Sequence, residues 1–509
     1  MAPFGCADSD GLAVTDSQRT PATARWHRFL TGSGLIVVLL AAHVILQLLL
    51  FSHVADAPMT GDETAYADGA RALSNLLRDW AAFAPADGAE LQRSVVGSAW
   101  FMPGMSVVLT PVFLVAPDAG AMLIRAYLGV FTTLLFTVAV LVTRRSFGQL
   151  YAVALLVFPG LVPMWVLFSF SAWGDLSAGL MIAILLALLL EAARTMRAGA
   201  APSLADGVRI GLVAIAVLYL RSSALPLVGG FFVVALAATL LLLRGRPRRR
   251  GVAALALAAA VFVALLLPWS VSASRTLDHR VITTTSVPTS LANAFGDREE
   301  ICFGPCDPES TIWFSPLRYS REVSRATGRS EVEVQQEMSA YATSGLTPQR
   351  YAELVGQNLH RYLSDPAHYE QALRPPGSSA DAVSHVVVTT TNLLFAALTC
   401  CAALMMVVVT RRSFDLQVTS LLLKLSGAAF LIQPFVHVCS ARYWQSFAPV
   451  YGLSAALLIQ IAAAIRTSAR AGTTTARAST LTKTLTVAQA AIGVLFVVVM
   501  VGLVVVARS

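Results

Sequence analysis

The apolar stretch FLTGSGLIVVLLAAHVILQLLLF (residues 29–51) is followed, after residues 52–60, by the tetrad Gly61-Asp62-Glu63-Thr64. A helix needs ~20 apolar residues to span the hydrocarbon core of a bilayer. Residues 29–51 therefore predict a membrane helix. Two adjacent carboxylates just beyond such a helix are poorly explained by packing, so we expect any chemistry of this protein to lie there.

The composition places most of the chain in a membrane. Of 509 residues, 56% are hydrophobic and 13% are charged, with a mean hydropathy of +0.67. Soluble domains carry about a quarter charged residues. The net charge of +8 does not predict a nucleic-acid partner, because the basic residues cluster between apolar runs, as they do in cytoplasmic loops.

Eleven apolar runs are candidate spans, and basic clusters alternate with them. The runs are 29–51, 121–143, 149–169, 173–192, 207–221, 224–243, 251–271, 386–410, 417–438, 442–465 and 484–507. With the N-terminus inside and the C-terminus outside, every basic cluster is cytoplasmic, as the positive-inside rule requires. The clusters are Arg144-Arg145, Arg194/Arg197, residues 244–250, Arg411-Arg412 and Arg466/Arg470/Arg477/Lys483.

Two apolar segments need a separate interpretation. Trp100–Ala116 is short and contains Pro103 and Pro111. Counting it as a span would move basic clusters outside, so we interpret it as re-entrant or interfacial. Ala55-Asp56-Ala57 resembles a signal-peptidase site, but the run before it is long for a signal peptide, which favours an anchor helix.

The predicted fold is an all-α integral membrane protein of about eleven transmembrane helices. Residues 1–28 form a cytoplasmic tail, and residues 29–271 form a transmembrane core that includes an external loop of juxtamembrane helices at 52–120. Residues 272–385 form a larger, mainly helical external loop, and residues 386–509 form the C-terminal transmembrane helices. Within the larger loop, Ser320–Tyr341 and Pro348–Leu363 are predicted surface helices.

Two cysteines of this loop are candidates for a disulfide. Cys302 and Cys306 flank Phe-Gly-Pro, and a disulfide requires an oxidising compartment, which the external side of the membrane provides. Two free thiols are the alternative. No His/Cys metal spacing and no phosphate-binding Gly-Lys-Ser/Thr loop is present in the sequence.

Ionisable residues that interrupt the apolar pattern collect at the external ends of the predicted spans. Charged groups at membrane depth usually line a cavity or pathway. Taken singly, Arg125 and Arg442 also fit interfacial anchors, and His437 also fits a hydrogen-bonded interface residue. Their shared location favours a site for a substrate with an acidic leaving group. The residues are Asp62, Glu63, Arg125, Asp175, Arg221, His437 and Arg442.

A series of motifs resembles the GT-C class of membrane glycosyltransferases. Residues 61–73, Gly-Asp-Glu-Thr-Ala-Tyr-Ala-Asp-Gly-Ala-Arg-Ala-Leu, are similar to the first-loop signature of the lipid A aminoarabinose transferases and to the Asp-Glu of the protein O-mannosyltransferases. Further motifs follow in the same order as in those families and extend the resemblance over most of residues 30–460. They are Phe101–Ser106, Arg125–Gly129, Thr143–Gly148, Leu220–Pro226, Leu267–Arg275, Thr283–Phe295 and His437–Pro449.

Some motifs depart from the family pattern. The Pro-Pro-x-Tyr-Pro element lacks one proline and its tyrosine in Phe101–Ser106, and Arg-Pro-Glu is Arg-Ser-Ser at Arg221. In the Pro-Trp element, the Arg-Asn pair is Ala273-Ser274, with Arg275 displaced. Asp62, Glu63 and Arg221 remain in place, so the departures indicate a divergent substrate.

The resemblance implies a function and a set of site residues. Such enzymes transfer a sugar from a polyprenyl phosphate to a lipid, glycan or protein acceptor at the outer face of the membrane, here the bacterial cytoplasmic membrane. We expect no cofactor and assign no metal ligand, while metal dependence stays open. By match to the family, Asp62 is the candidate base, and Glu63 is assigned to acceptor binding or site structure. Arg221, Arg442 and His437 are candidate phosphate ligands, while Tyr66, Arg125 and Asp175 complete the expected substrate site.

Two alternatives share these features. A transporter or flippase of a lipid-linked or acidic substrate would line its pathway with the same charges. The Asp62-Glu63 pair, the large external loop and the lack of an internal repeat favour the enzyme. A catalytically degenerate member of the family, with a scaffolding role, is the second alternative.

Overall fold

The structure is a computed structural model that describes residues 33–296, 315–375, 381–437, 441–471 and 480–508. These residues form helices and connecting turns, with no β-strand among them. Nine of their helices are long and apolar enough to cross a membrane. The predicted all-α, multi-pass membrane fold is therefore confirmed, while its orientation remains a prediction.

Ten helices of six or more residues lie within residues 33–276, besides the short helical elements Gly88–Leu91, Gln92–Val96 and Ser222–Ala224. The ten helices are α1 (Ser33–Val54), α2 (Asp62–Ala81), α3 (Gly104–Val115), α4 (Ala121–Phe147), α5 (Gln149–Val157), α6 (Pro163–Phe168), α7 (Asp175–Arg197), α8 (Leu204–Leu220), α9 (Leu225–Leu242) and α10 (Gly245–Thr276).

Eight further helices follow, of which the first four belong to the larger loop. They are α11 (Ser286–Phe295), α12 (Ser315–Thr327), α13 (Glu331–Ser344), α14 (Pro348–Ser364), α15 (Ala382–Val407), α16 (Phe414–Leu431), α17 (Trp444–Ala471) and α18 (Thr480–Arg508). A short helix, Gln433–Val436, follows α16.

One predicted span is not a continuous helix. Residues 149–169 form the short helices α5 and α6, separated by a turn that contains Pro159. Proline lacks the N–H that a helix interior needs and is tolerated in the first turn, where Pro163 begins α6. The predicted run 207–221 is a helix of 17 residues, α8, which is shorter than the ~20 residues of a typical span.

The core of the bundle lies around α7. In the most apolar 18-residue stretch of α7, 72% of the residues are buried, whereas the corresponding share in α18 is 6%. Protein therefore encloses α7, while α18 presents its apolar side chains outward. The helices α4, α8 and α17 pack on α7. At Gly179 of α7 the backbone carbonyls of α17 approach so closely that a Cβ atom would lie 2.8 Å from Ser446 O. Helices separated by a glycine can approach closely in this way.

The described parts of the predicted external segments are mainly helical, with turns between the helices. In the first, α2 packs its small residues against the predicted re-entrant segment, of which residues 104–115 form α3. In the second, the predicted helix Pro348–Leu363 corresponds to α14. The predicted helix Ser320–Tyr341 was wrong as a single element: Gly328, at φ +70°, separates α12 from α13.

Two predictions concern residues that the structure does not describe. The N-terminal tail 1–28 lies outside the described residues, and so do Cys302 and Cys306. The tail and the disulfide therefore stay predictions. Cys400 and Cys401 of α15 are free thiols.

Candidate active site

A cavity of about 630 Å³ opens at the end of the bundle where α7 begins and α8 ends. Ligand pockets in proteins have volumes of about 300–1,000 Å³. Residues from α2, α7, the α8–α9 turn, α11 and the segment before α17 form its wall. Six of the eight predicted site residues line it: Asp62, Tyr66, Asp175, Arg221, His437 and Arg442.

The turn before α2 positions Asp62. Gly61 has φ +55°, a conformation that glycine adopts readily and other residues adopt only with strain. Gly61 is the N-cap of α2, and Asp62 and Glu63 occupy the first turn of that helix. Carboxylates near a helix N-terminus are stabilised by the unpaired N–H groups and the helix dipole. Asp62 thus sits at the cavity rather than in the helix interior.

A close contact between two chain segments brings Arg221 to Asp175. The backbone leaves the helix at Arg221, which caps α8 with φ −150° and ψ 100°. At Gly174 a Cβ atom would lie only 2.3 Å from Leu220 O, so this approach requires glycine. The result is an ion pair of 2.7 Å between Arg221 Nη1 and Asp175 Oδ1.

Arg442 joins the two carboxylates of the cavity. Its Nη2 donates to Asp62 Oδ2, and its Nε lies 3.7 Å from Asp175 Oδ2. Burial by itself would lower the pKa of Arg442, but the charges of Asp62 and Asp175 outweigh it and raise the pKa well above its ordinary value. Arg442 therefore carries its positive charge at any working pH.

Aromatic faces cover both guanidinium groups. Arg221 lies 4.0 Å from the centre of the Tyr443 ring, and Arg442 lies 5.1 Å from the Trp173 ring. Such cation–π contacts hold a guanidinium in place while leaving its N–H edge available to an anion. Tyr369 packs edge-on against Trp173 at 5.3 Å. Burial, and then the charge of Asp62, raise the pKa of Tyr66, so its hydroxyl stays protonated.

Glu63 and Arg125 do not line the cavity. Their side chains are 1% and 0% exposed, and Glu63 Oε2 lies 3.3 Å from Arg125 Nη2. Glu63 Oε1 also accepts the N–H of Ala172 at 2.9 Å, and Arg125 donates to the carbonyls of Ala57 and Phe170. The pair thus ties together the two loops that precede α2 and α7. The donors of Arg125 are used inside the protein, and its predicted role in substrate binding stays a prediction.

His437 lies at the edge of the cavity. It lines the wall and packs edge-on against Tyr443 at 5.4 Å. The sequence predicts His437 and Arg442 at the ends of two spans, and both reach one cavity in the structure. Whether His437 binds a phosphate stays a prediction.

Several residues of the wall do not stand out in the sequence. Trp173 is two residues before Asp175, and Tyr443 follows Arg442, so proximity to predicted residues is an available signal for both. Gln433 lies four residues before His437, so the same signal was available for it. Tyr369 carries no such signal, because long chain segments separate it from the other site residues. Ser290 also lines the cavity, inside the motif region Thr283–Phe295.

The side chains that usually ligate metals do not cluster in the described part of the chain. Within the described ranges, no group of three or more His, Cys, Asp or Glu residues is arranged to hold a metal ion. The groups that the cavity offers for chemistry are its carboxylates, its guanidiniums, the imidazole of His437 and its neutral polar side chains.

Comparison with known proteins gave structural neighbours only. No protein-family model matches the sequence, and no curated protein matches it significantly. The crystal structure of ArnT from Cupriavidus metallidurans bound to undecaprenyl phosphate has 17% identity and a TM-score of 0.33, over 84% of this chain and 77% of that chain.

A second neighbour is the archaeal oligosaccharyltransferase AglB from Archaeoglobus fulgidus, in complex with an inhibitory peptide and a dolichol-phosphate. It has 14% identity and a TM-score of 0.43, over 93% of this chain and 56% of that chain. Both neighbours are GT-C glycosyltransferases, the class that the sequence motifs resemble. With TM-scores below 0.5, these similarities carry no information on the activity of this chain.

Proposed function

We propose that this protein is a membrane glycosyltransferase that moves a sugar from a polyprenyl phosphate to an acceptor at the external face of the bacterial cytoplasmic membrane. The observation that carries the proposal is the convergence of two guanidiniums and two carboxylates in one cavity at one end of the bundle. The guanidiniums can bind the phosphate of a lipid-linked donor. A carboxylate nearby can accept the proton of the hydroxyl group to which the sugar is transferred.

Arg221 and Arg442 would bind the phosphate of the donor. Guanidiniums match phosphate oxygens in geometry and bind them by charge-assisted hydrogen bonds. Arg221 Nε has no hydrogen-bond partner among the described residues, so one donor is available without breaking any bond. As the carbon–oxygen bond at the anomeric carbon breaks, the electron pair moves to the phosphate oxygen. The two cations stabilise that developing charge.

Asp62 would act as the general base. Its side chain is 13% exposed, at the cavity surface, whereas that of Asp175 is 1% exposed. A donor phosphate that binds Nη2 of Arg442 would displace the Asp62 carboxylate from it, while the Nε side of Arg442 stays at Asp175. The released carboxylate accepts the proton of an acceptor hydroxyl as its oxygen attacks the anomeric carbon. Attack opposite the departing phosphate inverts the anomeric configuration. With a phosphate acceptor, which is already ionised, Asp62 would orient the acceptor instead.

Asp175 would hold the two cations in place. One of its oxygens contacts Arg221 at 2.7 Å and accepts from Ser446 Oγ at 3.1 Å, while the other faces Arg442 Nε. A carboxylate shared between two guanidiniums fixes their separation. We therefore propose a positioning role for Asp175 in place of substrate binding. Of the two roles expected for Glu63, acceptor binding and site structure, its burial supports site structure.

The test measures transfer directly. Purified full-length protein in nanodiscs is incubated with undecaprenyl-phosphate-linked radiolabelled sugars and a membrane extract as acceptor source, and the label is followed into product. Asp62→Asn should lower turnover by roughly 10²–10⁴-fold while donor binding persists. Asp68→Asn is the matched control, because Asp68 lies on the same helix and forms only an exposed pair with Arg71.

Two results would contradict the proposal. Equal turnover of Asp62→Asn and the wild type on a hydroxyl acceptor would remove Asp62 as the base. Movement of intact labelled donor across the bilayer, with no new glycosidic bond, would assign the cavity to a transporter instead.

A further inference from the structure

The cavity has a second end, which carries no formal charge. Beside Arg221, hydroxyl and amide side chains alternate with apolar ones on the α8–α9 turn, the segment leading into α11, α11 itself and the short helix after α16. The polar side chains of this wall carry its hydrogen-bonding groups. These residues are Ser222, Ser223, Thr284, Ser286, Ser290 and Gln433.

This neutral end is held in place by contacts from outside the cavity. The backbone of Thr285 donates to Ala99 O at 3.0 Å, and its hydroxyl donates to Ser98 O at 2.7 Å, which fixes the start of α11. Gln433 Nε2 donates to Ser223 Oγ at 3.1 Å and so joins the short helix to the α8–α9 turn. The neutral end is thus a built wall, directly continuous with Arg221.

Two buried polar atoms of this wall are unused. Ser290 is 2% exposed and Gln433 is 6% exposed. Ser290 Oγ and Gln433 Oε1 have no hydrogen-bond partner within the described part of the chain. Buried polar groups are usually hydrogen-bonded, because leaving one without a partner costs free energy. A serine hydroxyl and an amide oxygen on the same wall can bind ligand hydroxyls.

The charges of the cavity indicate which ligand suits this end. Within the described residues, its two carboxylates are both paired with its two guanidiniums. An amino sugar would bring a positive charge to a wall with no carboxylate to receive it. A uronic acid would bring a negative charge that competes with the phosphate for the arginines. A neutral sugar meets hydroxyl and amide groups for its own hydroxyls, and apolar side chains such as Val287 and Ile432 for its ring carbons.

We propose that the neutral end is the sugar subsite and that it selects an uncharged polyhydroxylated sugar, a hexose or pentose without amino or carboxyl groups. This inference rests on the proposed function, since it places the sugar next to the phosphate held by Arg221. Ser290 and Gln433 would be its specificity-determining residues.

The experiment compares the binding of four lipids to the full-length protein in nanodiscs, by quenching of tryptophan fluorescence, since Trp100 and Trp173 line the cavity. The lipids are undecaprenyl phosphate and undecaprenyl phosphate carrying mannose, 4-amino-4-deoxyarabinose or glucuronic acid. The mannosyl lipid should bind about tenfold more tightly than the bare lipid, because each hydrogen bond to the sugar raises the affinity by about three- to tenfold. The lipids that carry the amino sugar or the uronic acid should bind no more tightly than the bare lipid.

Two variants test whether Ser290 and Gln433 cause the higher affinity for the mannosyl lipid. Ser290→Ala and Gln433→Ala should each reduce the advantage of the mannosyl lipid by about three- to tenfold and leave the affinity for the bare lipid unchanged, which also shows that the variants fold. Ser454→Ala is the matched control. Ser454 is equally buried but donates to Val450 O within α17, away from the cavity.

The outcomes separate the inference from the proposed function. If the bare lipid binds but mannose adds nothing, or the amino sugar adds more than mannose, the neutral subsite is refuted and the glycosyltransferase proposal stands. An unchanged mannose advantage in both variants refutes the assignment to Ser290 and Gln433. If the wild type binds none of the four lipids, the proposed function itself fails, and this inference fails with it.

Discussion

Glu63 and Asp62 are neighbours in the sequence with opposite surroundings, and Glu63→Gln tests that difference. Glu63 is fully buried and receives hydrogen bonds from Arg125, from the N–H of Ala172 and from the N–H of Thr60. Asp62 faces the cavity. We expect Glu63→Gln to act on stability and Asp62→Asn to act on turnover.

The magnitude follows from the buried pair. Removing one charge of a buried ion pair costs roughly 3–5 kcal/mol, because the partner charge remains without compensation. Glutamine keeps the shape of the side chain and its amide oxygen can still accept from Ala172 N, which places the expected loss at the low end, ~3 kcal/mol. Arg125 still donates to the carbonyls of Ala57, Pro58 and Phe170, so those bonds do not add to the loss.

The assay is reversible unfolding by SDS in mixed micelles, followed by circular dichroism. Glu63→Gln should lower the free energy of unfolding by ~3 kcal/mol, and Asp62→Asn should change it far less. In the double variant Glu63→Gln/Arg125→Gln, the total loss should be smaller than the sum of the single losses by about 0.5–3 kcal/mol, since contacting residues are coupled.

One result would refute the reasoning. A Glu63→Gln protein as stable as the wild type, but with turnover lowered as strongly as in Asp62→Asn, would show that Glu63 acts on substrate rather than on the loops before α2 and α7.

Three further predictions test the site and the topology. Arg221→Ala should weaken the binding of undecaprenyl phosphate by roughly 10- to 150-fold, because a charge-assisted hydrogen bond to phosphate is lost; an unchanged affinity in a vesicle-binding assay would remove Arg221 from the phosphate site. Gly61→Ala should lower the free energy of unfolding by about 1–2 kcal/mol, because alanine is strained at the positive φ of residue 61, and should lower turnover by displacing Asp62. Gly88→Ala should have neither effect, because the space around its Cβ is equally open and its φ is not positive. Equal thermal stability of the two variants would contradict this prediction. Cysteines are introduced one at a time at the exposed residues Ala326 and Arg246. A membrane-impermeant reagent should label intact cells at residue 326 and not at residue 246, and labelling at residue 246 would overturn the predicted orientation.

Hydropathy and the positions of charged residues were enough to predict the class of fold and to select residues that meet in one cavity. The long apolar runs specify membrane helices because a bilayer accepts only segments whose backbone groups are paired internally. Charges that interrupt those runs are costly in lipid, so their positions in the sequence are enough to predict a shared cavity. Asp62, Arg221 and Arg442, predicted from three distant segments, do line one cavity.

Only the tertiary structure separated the roles of neighbouring residues. Hydropathy cannot show which of two adjacent carboxylates turns into the protein, and here Glu63 pairs with Arg125 while Asp62 faces the cavity. The motifs Leu220–Pro226 and Thr283–Phe295 contain most residues of the neutral end, but the sequence could not show which of their serines and threonines face a cavity, because these side chains carry no charge that would mark a site. Ser290 and Gln433 became candidates only because folding places them, buried and each with a polar atom that has no partner among the described residues, against the same cavity as Arg221.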